Sequence, residues 1–520
     1  MNGVQLLLII GAGIAVSAVA RKRNIEPGWI IVVLAAAASF IPGVPRLELD
    51  SEMILAIVVP PLLYSATRNA SFSSFGANMN AIFTLGVLLV LITAGVLGVV
   101  ATWLLPTIGG AAAFLLGSVL APPDTITTVS HGDEIGLPKR VTSILTGESL
   151  VNDATALTLF AIALGTANGQ HASFGSGAVD LVRNAGIGLL IGTAMSVPTL
   201  WLRKRLGNPT LETTLVLLLP FTAFLLAEEA HASGILAVVA AAFSVSLNLA
   251  LDPKHQYPGA YRTRLQEESF WPVADFLLET FVFAYIGLQL RFVLEDLAES
   301  DDPGLLRTLV AAGVLLVVAI LFRMLAVWVL FGRWRRQFER TQRRIKEDVY
   351  FRARFERLSE RRNRRRGAPL DPPTRKQTLL VGWTGMRGIL TLAAAAAIPE
   401  TIEHTTEPFP GRDAIQAIAL IVTLGTLLIQ GTTVGRLSRK LDFDLTAERA
   451  ETRAQHEVGR QIIAAADAGP AETDDARFEA QRAALGKAVM ERRLTEDIAR
   501  EMIEEIDLRQ AAHHTTTPPA

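Results

Sequence analysis

Gly147-Glu148-Ser149-Leu150-Val151-Asn152-Asp153-Ala154-Thr155-Ala156-Leu157 places two carboxylates and a carboxamide inside an apolar segment long enough to cross a membrane. A charged side chain at bilayer depth costs at least about 2.5–3.5 kcal/mol. It persists there only if it is paired, hydrated or used. A second breach lies upstream, at Ala121-Pro122-Pro123-Asp124-Thr125. Carboxylates at membrane depth, one of them beside a helix-breaking Pro-Pro, read as a pathway for a cation and a proton.

The rest of the chain fits that reading. Half of its 520 residues are hydrophobic and 19% are charged, the balance of a polytopic membrane protein rather than a soluble globule. The formal net charge of -1 hides an uneven distribution. No nucleic-acid partner is expected from it. Without cysteine there is no disulfide, thiolate nucleophile, iron–sulfur cluster or Cys-based zinc site. The N-terminal apolar run ends in Ala18-Val19-Ala20, but no positive side chain precedes it and Arg21-Lys22-Arg23 follows it. This is the pattern of an uncleaved first helix with its N-terminus outside.

Thirteen apolar segments qualify as membrane crossings, near 3–20, 27–42, 51–67, 78–105, 110–130, 139–165, 175–202, 209–228, 231–250, 270–290, 304–331, 377–398 and 413–437. Alternate loops are basic, from Arg21, Lys22 and Arg23 to the run 333–376. The loops between them are short, neutral or acidic, as with Glu295, Asp296, Glu299, Asp301 and Asp302. The positive-inside rule then sets the N-terminus outside and the C-terminus in the cytoplasm, which requires an odd number of crossings.

The expected organisation is a transmembrane domain over 1–440 and a cytoplasmic tail over 441–520. The Arg-rich loop 333–376 reads as helices with charged faces, either a solvated topology anchor or a contact with anionic lipid. In the tail, Ala484, Val489, Met490, Ile498, Met502 and Ile503 have the spacing of amphipathic helices. The final Thr-Thr-Thr-Pro-Pro-Ala reads as disordered.

The fifth segment breaks at Pro122-Pro123, because proline removes a backbone donor and clashes with the preceding turn. The twelfth has its own weak point, Gly382-Trp383-Thr384-Gly385-Met386-Arg387-Gly388. Irregular backbone at this depth survives only where protein or water satisfies it. If the seventh segment is a linker, the fifth and twelfth occupy matching places in two inverted halves, the usual mark of a transport site. On the sixth segment, Ser149 and Asp153 share a face, four residues apart, and can offer oxygens to one ion. Glu148 points elsewhere and needs a cation such as Arg387. The alternative is a polar cluster that only joins helices. Asp275 and Glu279 lie near an inner helix end; Glu279 faces a cytoplasmic funnel or snorkels. Arg323 lies deep in the eleventh segment, to pair or to cap carbonyls.

Taken together, Pro122-Pro123-Asp124, Gly147-Glu148-Ser149-Leu150-Val151-Asn152-Asp153-Ala154 and Gly385-Met386-Arg387-Gly388 resemble the cation:proton antiporter-1 family, the NhaP/NHE-like sodium/proton exchangers. Pro60-Pro61-Leu62-Leu63-Tyr64, Ser233-Gly234-Ile235-Leu236-Ala237 and Phe283-Ala284-Tyr285-Ile286-Gly287-Leu288 support it, and the resemblance runs over residues 1–440 in order. It implies an all-α inverted-repeat fold with a dimerisation domain, hence a homodimer, and a six-helix core whose unwound helices cross at the ion site. It makes Asp153 the principal carboxylate for Na⁺ or H⁺, Asp124 and Ser149 further site oxygens, Asn152 a neutral partner, and Glu148 with Arg387 a core ion pair. Two positions depart from the family pattern. Pro123 stands where many members have Thr, and Ser65 where many have an acid.

The activity implied is electroneutral exchange of a monovalent cation, Na⁺ first and K⁺ as the alternative, for a proton, serving pH and sodium homeostasis from the cell membrane. Electrogenic relatives carry a second Asp where this chain has the neutral Asn152. No cofactor is expected beyond the transported cation and proton, and membrane lipid is the expected surrounding. Two rivals differ in class. A passive channel needs a continuous polar pore, and only one short polar cluster is visible. An intramembrane enzyme is argued against because His231-Ala232-Ser233-Gly234 lacks the leading Gly of a membrane serine protease, and no His-Glu-x-x-His is present.

Overall fold

The computed structural model describes residues 3–22, 27–42, 44, 56–125, 136–168, 174–251, 259–299, 303–348, 350, 352, 371–402, 407–469 and 473–516. The architecture is all-α. In chain order the helices are α1 (Gly3–Lys22), α2 (Pro27–Ser39), α3 (Val59–Asn69), α4 (Phe72–Phe83), α5 (Val90–Leu104), α6 (Gly109–Leu120), α7 (Lys139–Ala167), α8 (Phe174–Leu206), α9 (Pro209–Glu229) and α10 (Gly234–Leu251). There follow α11 (Ala260–Leu288), α12 (Leu290–Glu299), α13 (Leu305–Glu347), α14 (Arg375–Trp383), α15 (Ile389–Ala396), α16 (Arg412–Thr426), α17 (Thr432–Leu441), α18 (Thr446–Asp467), α19 (Asp474–Met490) and α20 (Glu496–Thr516). Two π-helical turns, Thr84–Leu89 and Leu427–Gly431, join α4 to α5 and α16 to α17.

Seven helical stretches among the described residues are long and apolar enough to cross a membrane, and four shorter apolar helices accompany them. The protein is a multi-pass membrane protein. Three of the expected segments are not single long helices, the fifth because α6 ends at Leu120. In the third, α3 begins with Pro60-Pro61 at its first positions, where the missing N–H groups cost nothing. The twelfth is split into α14 and α15.

The chain divides into two compact units. The first comprises Met1–Leu55, Phe75–Val182 and Leu277–Phe443. Its core is built from α5, α6, α13, α15 and α16, with Leu97, Leu115, Leu116, Leu315, Ile415 and Ile418 fully buried. Small residues let backbones touch. A Cβ on Gly117 would lie 2.3 Å from the Ala94 carbonyl oxygen, so α5 and α6 pack at a distance only glycine permits. A Cβ on Gly147 would meet Ile82 at 2.2 Å, which seats α7 against α4.

The second unit comprises Ala56–Ser74, Arg183–Phe276 and Asp444–Ala520. It contains α3, α9, α10 and the tail helices α18, α19 and α20. The tail helices share a core of Ile463, Leu485, Ile498, Met502, Ile503 and Ile506, against which Leu247 of α10 packs. Arg264 of α11 donates to both oxygens of Asp507, at 2.6 and 2.8 Å, and Arg482 donates to the same carboxylate at 2.9 Å. The expected amphipathic faces are therefore real at Ile498, Met502 and Ile503. Met490 is the exception: at the end of α19 it is 72% exposed. The expected disorder of the final residues is also corrected in part, since Thr515 and Thr516 continue α20 and the Thr515 hydroxyl donates to Ala512 O. In the basic loop, α13 runs unbroken to Glu347, so the first third of 333–376 is a helical extension of a membrane segment. Residues 353–370 of that loop lie outside the described residues.

Candidate functional site

α6 stops at Leu120, and residues 121–125 carry no regular secondary structure. Pro122 and Pro123 have no N–H to carry the helix on. α14 stops at Trp383, and 384–388 carry no regular secondary structure before α15 starts at Ile389. The two breaks are bonded to each other: the Asp124 N–H donates to the Met386 carbonyl at 2.6 Å. Gly388 is required by this approach, since a Cβ there would stand 1.8 Å from Asp124 Oδ2.

Breaking a helix leaves carbonyls without partners. Two buried arginines take them up. Arg387 donates from Nε to Leu120 O at 2.5 Å and from Nη1 to Gly385 O at 2.6 Å, while its own N–H is received by Thr426 Oγ1 of α16 at 2.9 Å. Arg323 of α13 donates from Nη2 to Val381 O and Thr384 O, each at 3.2 Å. The same guanidinium grips Glu148, Nη1 to Oε1 at 2.6 Å and Nη2 to Oε2 at 3.0 Å. Glu148 is fully buried and Arg323 is 3% exposed. The core ion pair is therefore Glu148–Arg323, and the expected Glu148–Arg387 pair is corrected. Arg387 sits in the break itself and spends its side chain on carbonyls, whereas Arg323 reaches α7 from a continuous neighbouring helix.

α7 presents its polar residues to the first break. Asn152 Nδ2 donates to Pro123 O at 2.5 Å, and Thr125 Oγ1 donates to Leu145 O at 2.9 Å. This leaves a distinct set of oxygens. Ser149 Oγ and Asn152 Oδ1 are buried and have no hydrogen-bond partner among the described residues. Asp153 is half-buried and makes no hydrogen bond or ion pair among the described residues. Asp124 is also half-buried, and its charge acts on Asp153. The structure thus brings together Asp153, Asp124, Ser149, Asn152 and Pro123, with Glu148, Arg323 and Arg387 as their frame. Glu279 lies half-buried on α11.

Sequence reading missed Thr426 and the neighbouring Gln430. The signal was present: Thr423, Thr426 and Gln430 recur at helical spacing in an otherwise apolar segment. Gln430 is 1% exposed, and neither its side-chain oxygen nor its side-chain nitrogen finds a partner among the described residues.

A family model described as "Sodium/hydrogen exchanger, transmembrane" matches residues 3–440, the stretch that holds both breaks. The chain belongs to the sodium/hydrogen exchanger family. Members of this family are cation/proton antiporters, which are transporters and not enzymes. The chain is similar to an uncharacterised Na⁺/H⁺ exchanger of Mycobacterium tuberculosis, 29% identical over 451 residues that cover 84% of this chain and 74% of that protein. It is also similar to a sodium, potassium, lithium and rubidium/H⁺ antiporter of Bacillus subtilis, 29% identical over 439 residues covering 82% of this chain and 60% of that one. Among solved structures, the sodium proton antiporter MjNhaP1 from Methanocaldococcus jannaschii superimposes with a TM-score of 0.56 at 18% identity, covering 84% of this exchanger and 97% of that chain. That likeness supports the shared fold.

Proposed function

We propose that this exchanger carries one monovalent cation, Na⁺ by first choice, against one proton, and that Asp153 is the group both compete for. One observation carries the reading. At the two breaks Glu148, Arg323 and Arg387 are each committed to partners, and among the described residues Asp153 is not. A bare carboxylate in such a setting is costly, so it is neutralised either by a proton or by a cation. It cannot hold both. If only the loaded form moves between the two sides of the membrane, the two fluxes run in opposite directions.

Ser149 Oγ and Asn152 Oδ1, one turn away and adjacent on α7, supply further ligand oxygens, with Asp124 beside them. Asn152 is neutral, so one titrating carboxylate gives electroneutral exchange. We place the protein in the cell membrane as a homodimer with thirteen crossings, N-terminus outside and tail in the cytoplasm, surrounded by its lipids and serving pH and sodium homeostasis. The Bacillus relative, named for potassium as well as sodium, favours K⁺ as a second substrate to be tested beside Na⁺ and Li⁺.

The test is exchange in proteoliposomes under an imposed pH gradient, each cation added in turn. Wild-type protein should dissipate the gradient and Asp153→Asn should not. Equal dissipation by both would overturn the assignment of Asp153. No dissipation by wild type with any of the three ions would overturn the exchange reading.

A further inference from the structure

The second unit holds a membrane carboxylate that the exchange mechanism leaves unused. Asp275 of α11 is approached by α3, whose Ser65 hydroxyl donates to Asp275 Oδ2 at 2.5 Å. The other oxygen, Oδ1, is buried and has no partner among the described residues. One turn earlier on the same helix, Trp271 is 1% exposed, and its Nε1–H likewise has none among them. Residues four apart share a helix face. Here α3 fixes that face twice over, because Tyr64 stacks on Trp271 with ring centroids 5.1 Å apart while the next residue, Ser65, binds Asp275. An orphaned donor and an orphaned acceptor therefore lie on one buried face, toward one neighbouring helix.

The chemistry of the pair selects its ligand. An indole N–H repels a metal cation but donates readily to a water oxygen. That water can in turn donate to Asp275 Oδ1. Buried waters characteristically occupy places where several polar groups would otherwise go unsatisfied. The other charges around the carboxylate are taken up elsewhere. From α3, Arg68 pairs with Glu268 at 2.9 Å, and the Tyr64 phenol stands beside it. From α8, Arg203 pairs with Glu267 at 2.7 Å. Along α11 the remaining acid is Glu279. Asp275 makes no ion pair among the described residues.

We propose that Asp275 is a second proton-accepting site of this exchanger, reached through one water held between its Oδ1 and Trp271 Nε1. The step balances simply. A hydronium delivered to the water position passes its proton to Oδ1, which becomes a carboxylic acid, and neutral water remains. Ser65 holds Oδ2 in both states. The inference rests on the exchange reading above and adds to it a place where protons are collected apart from Asp153. A purely mechanical clasp between α3 and α11 is the competing account. Asn at 275 keeps that clasp, because its carbonyl still accepts from Ser65, but it cannot take a proton.

The experiment compares wild type, Asp275→Asn and Trp271→Phe in proteoliposomes across a range of pH, with Na⁺ as the probe. Asp275→Asn should keep exchange, leave the KM for Na⁺ unchanged, and move the pH of half-maximal exchange toward acid, because one proton-accepting group is lost. Trp271→Phe, which keeps the stacked ring and removes only the N–H, should move it the same way by less. A second readout does not depend on transport. The infrared C=O stretch of a protonated carboxylic acid should grow on acidification in wild type, and its amplitude should fall in Asp275→Asn. A pH profile and an infrared difference spectrum both identical to wild type would overturn the proposal and leave the clasp. Loss of exchange in wild type, or its survival in Asp153→Asn, would strike the underlying reading instead.

Discussion

Arg323 holds both carboxylate oxygens of Glu148, at 2.6 and 3.0 Å, with neither side chain exposed by more than 3%. Two charges this deep are stable only together. Removing one leaves the other buried and unpaired, at a cost of about 3–5 kcal/mol. Arg323→Gln alone should lower the thermal unfolding midpoint strongly. Combining it with Glu148→Gln should restore part of the loss, and additive damage in the double-mutant cycle would reject the pairing.

Arg387 acts on carbonyls of both breaks, spanning Leu120 O and Gly385 O with one planar fork. A lysine ammonium is a point donor and does not reproduce that span. Arg387→Lys should therefore cost about 1.5–3 kcal/mol, the range for hydrogen bonds to a charged group, even though charge is conserved. Thermal unfolding at fixed detergent composition is the measurement. A midpoint equal to wild type would show that the fork is not needed.

Gly388→Ala should abolish exchange. The new Cβ would fall 1.8 Å from Asp124 Oδ2, so either that carboxylate or the break must move. Gly95→Ala serves as the matched control, because nothing lies within 4 Å of its Cβ position. Proteoliposome exchange by the two variants should differ from each other far more than their expression levels do.

Gln430 presents the opposite case, a buried carboxamide with no partner at either end among the described residues. Leaving such a group unsatisfied costs about 1–3 kcal/mol. Gln430→Leu should thus raise the unfolding midpoint while exchange continues. A lowered midpoint would mean that a bound water satisfies the amide in the native protein.

In the tail, Asp475 lies between opposing influences. Partial burial pushes its carboxyl up, but hydrogen bonds from Gln510 at 2.7 Å and His514 at 2.8 Å outweigh this and hold it below the usual range. A depressed carboxylate stabilises the fold above its unfolded value of about 3.9 and loses that contribution as pH falls through the lower folded value. Amide protection of α19 and α20 in the full chain should therefore fall off in acid more steeply in wild type than in Asp475→Asn.

Much of this site was legible in the sequence because lipid is an unforgiving solvent. Glu148, Asp153 and Asp124 stood out against apolar surroundings, and Pro122-Pro123 and the glycines of 382–388 announced the two breaks. What sequence could not assign was partnership between helices. Spacing fixes which face of its own helix a residue occupies, but not which of two mid-membrane arginines reaches a given glutamate. Arg387 went to carbonyls because its backbone lies within the break, a fact of chain path and not of composition. Thr426 and Gln430 escaped notice because hydroxyls and amides are common in apolar helices and mark no site by themselves.

The bond from the Asp124 N–H to the Met386 carbonyl is made wholly from main-chain atoms. Only a proline at 124 would delete its donor, and no substitution at 386 removes the acceptor. The joint between the two breaks is thus independent of the side chains at 149, 152 and 153. If these are the ligand oxygens proposed above, they can be exchanged one at a time while the joint stays tied, and the cargo changes without rebuilding the scaffold.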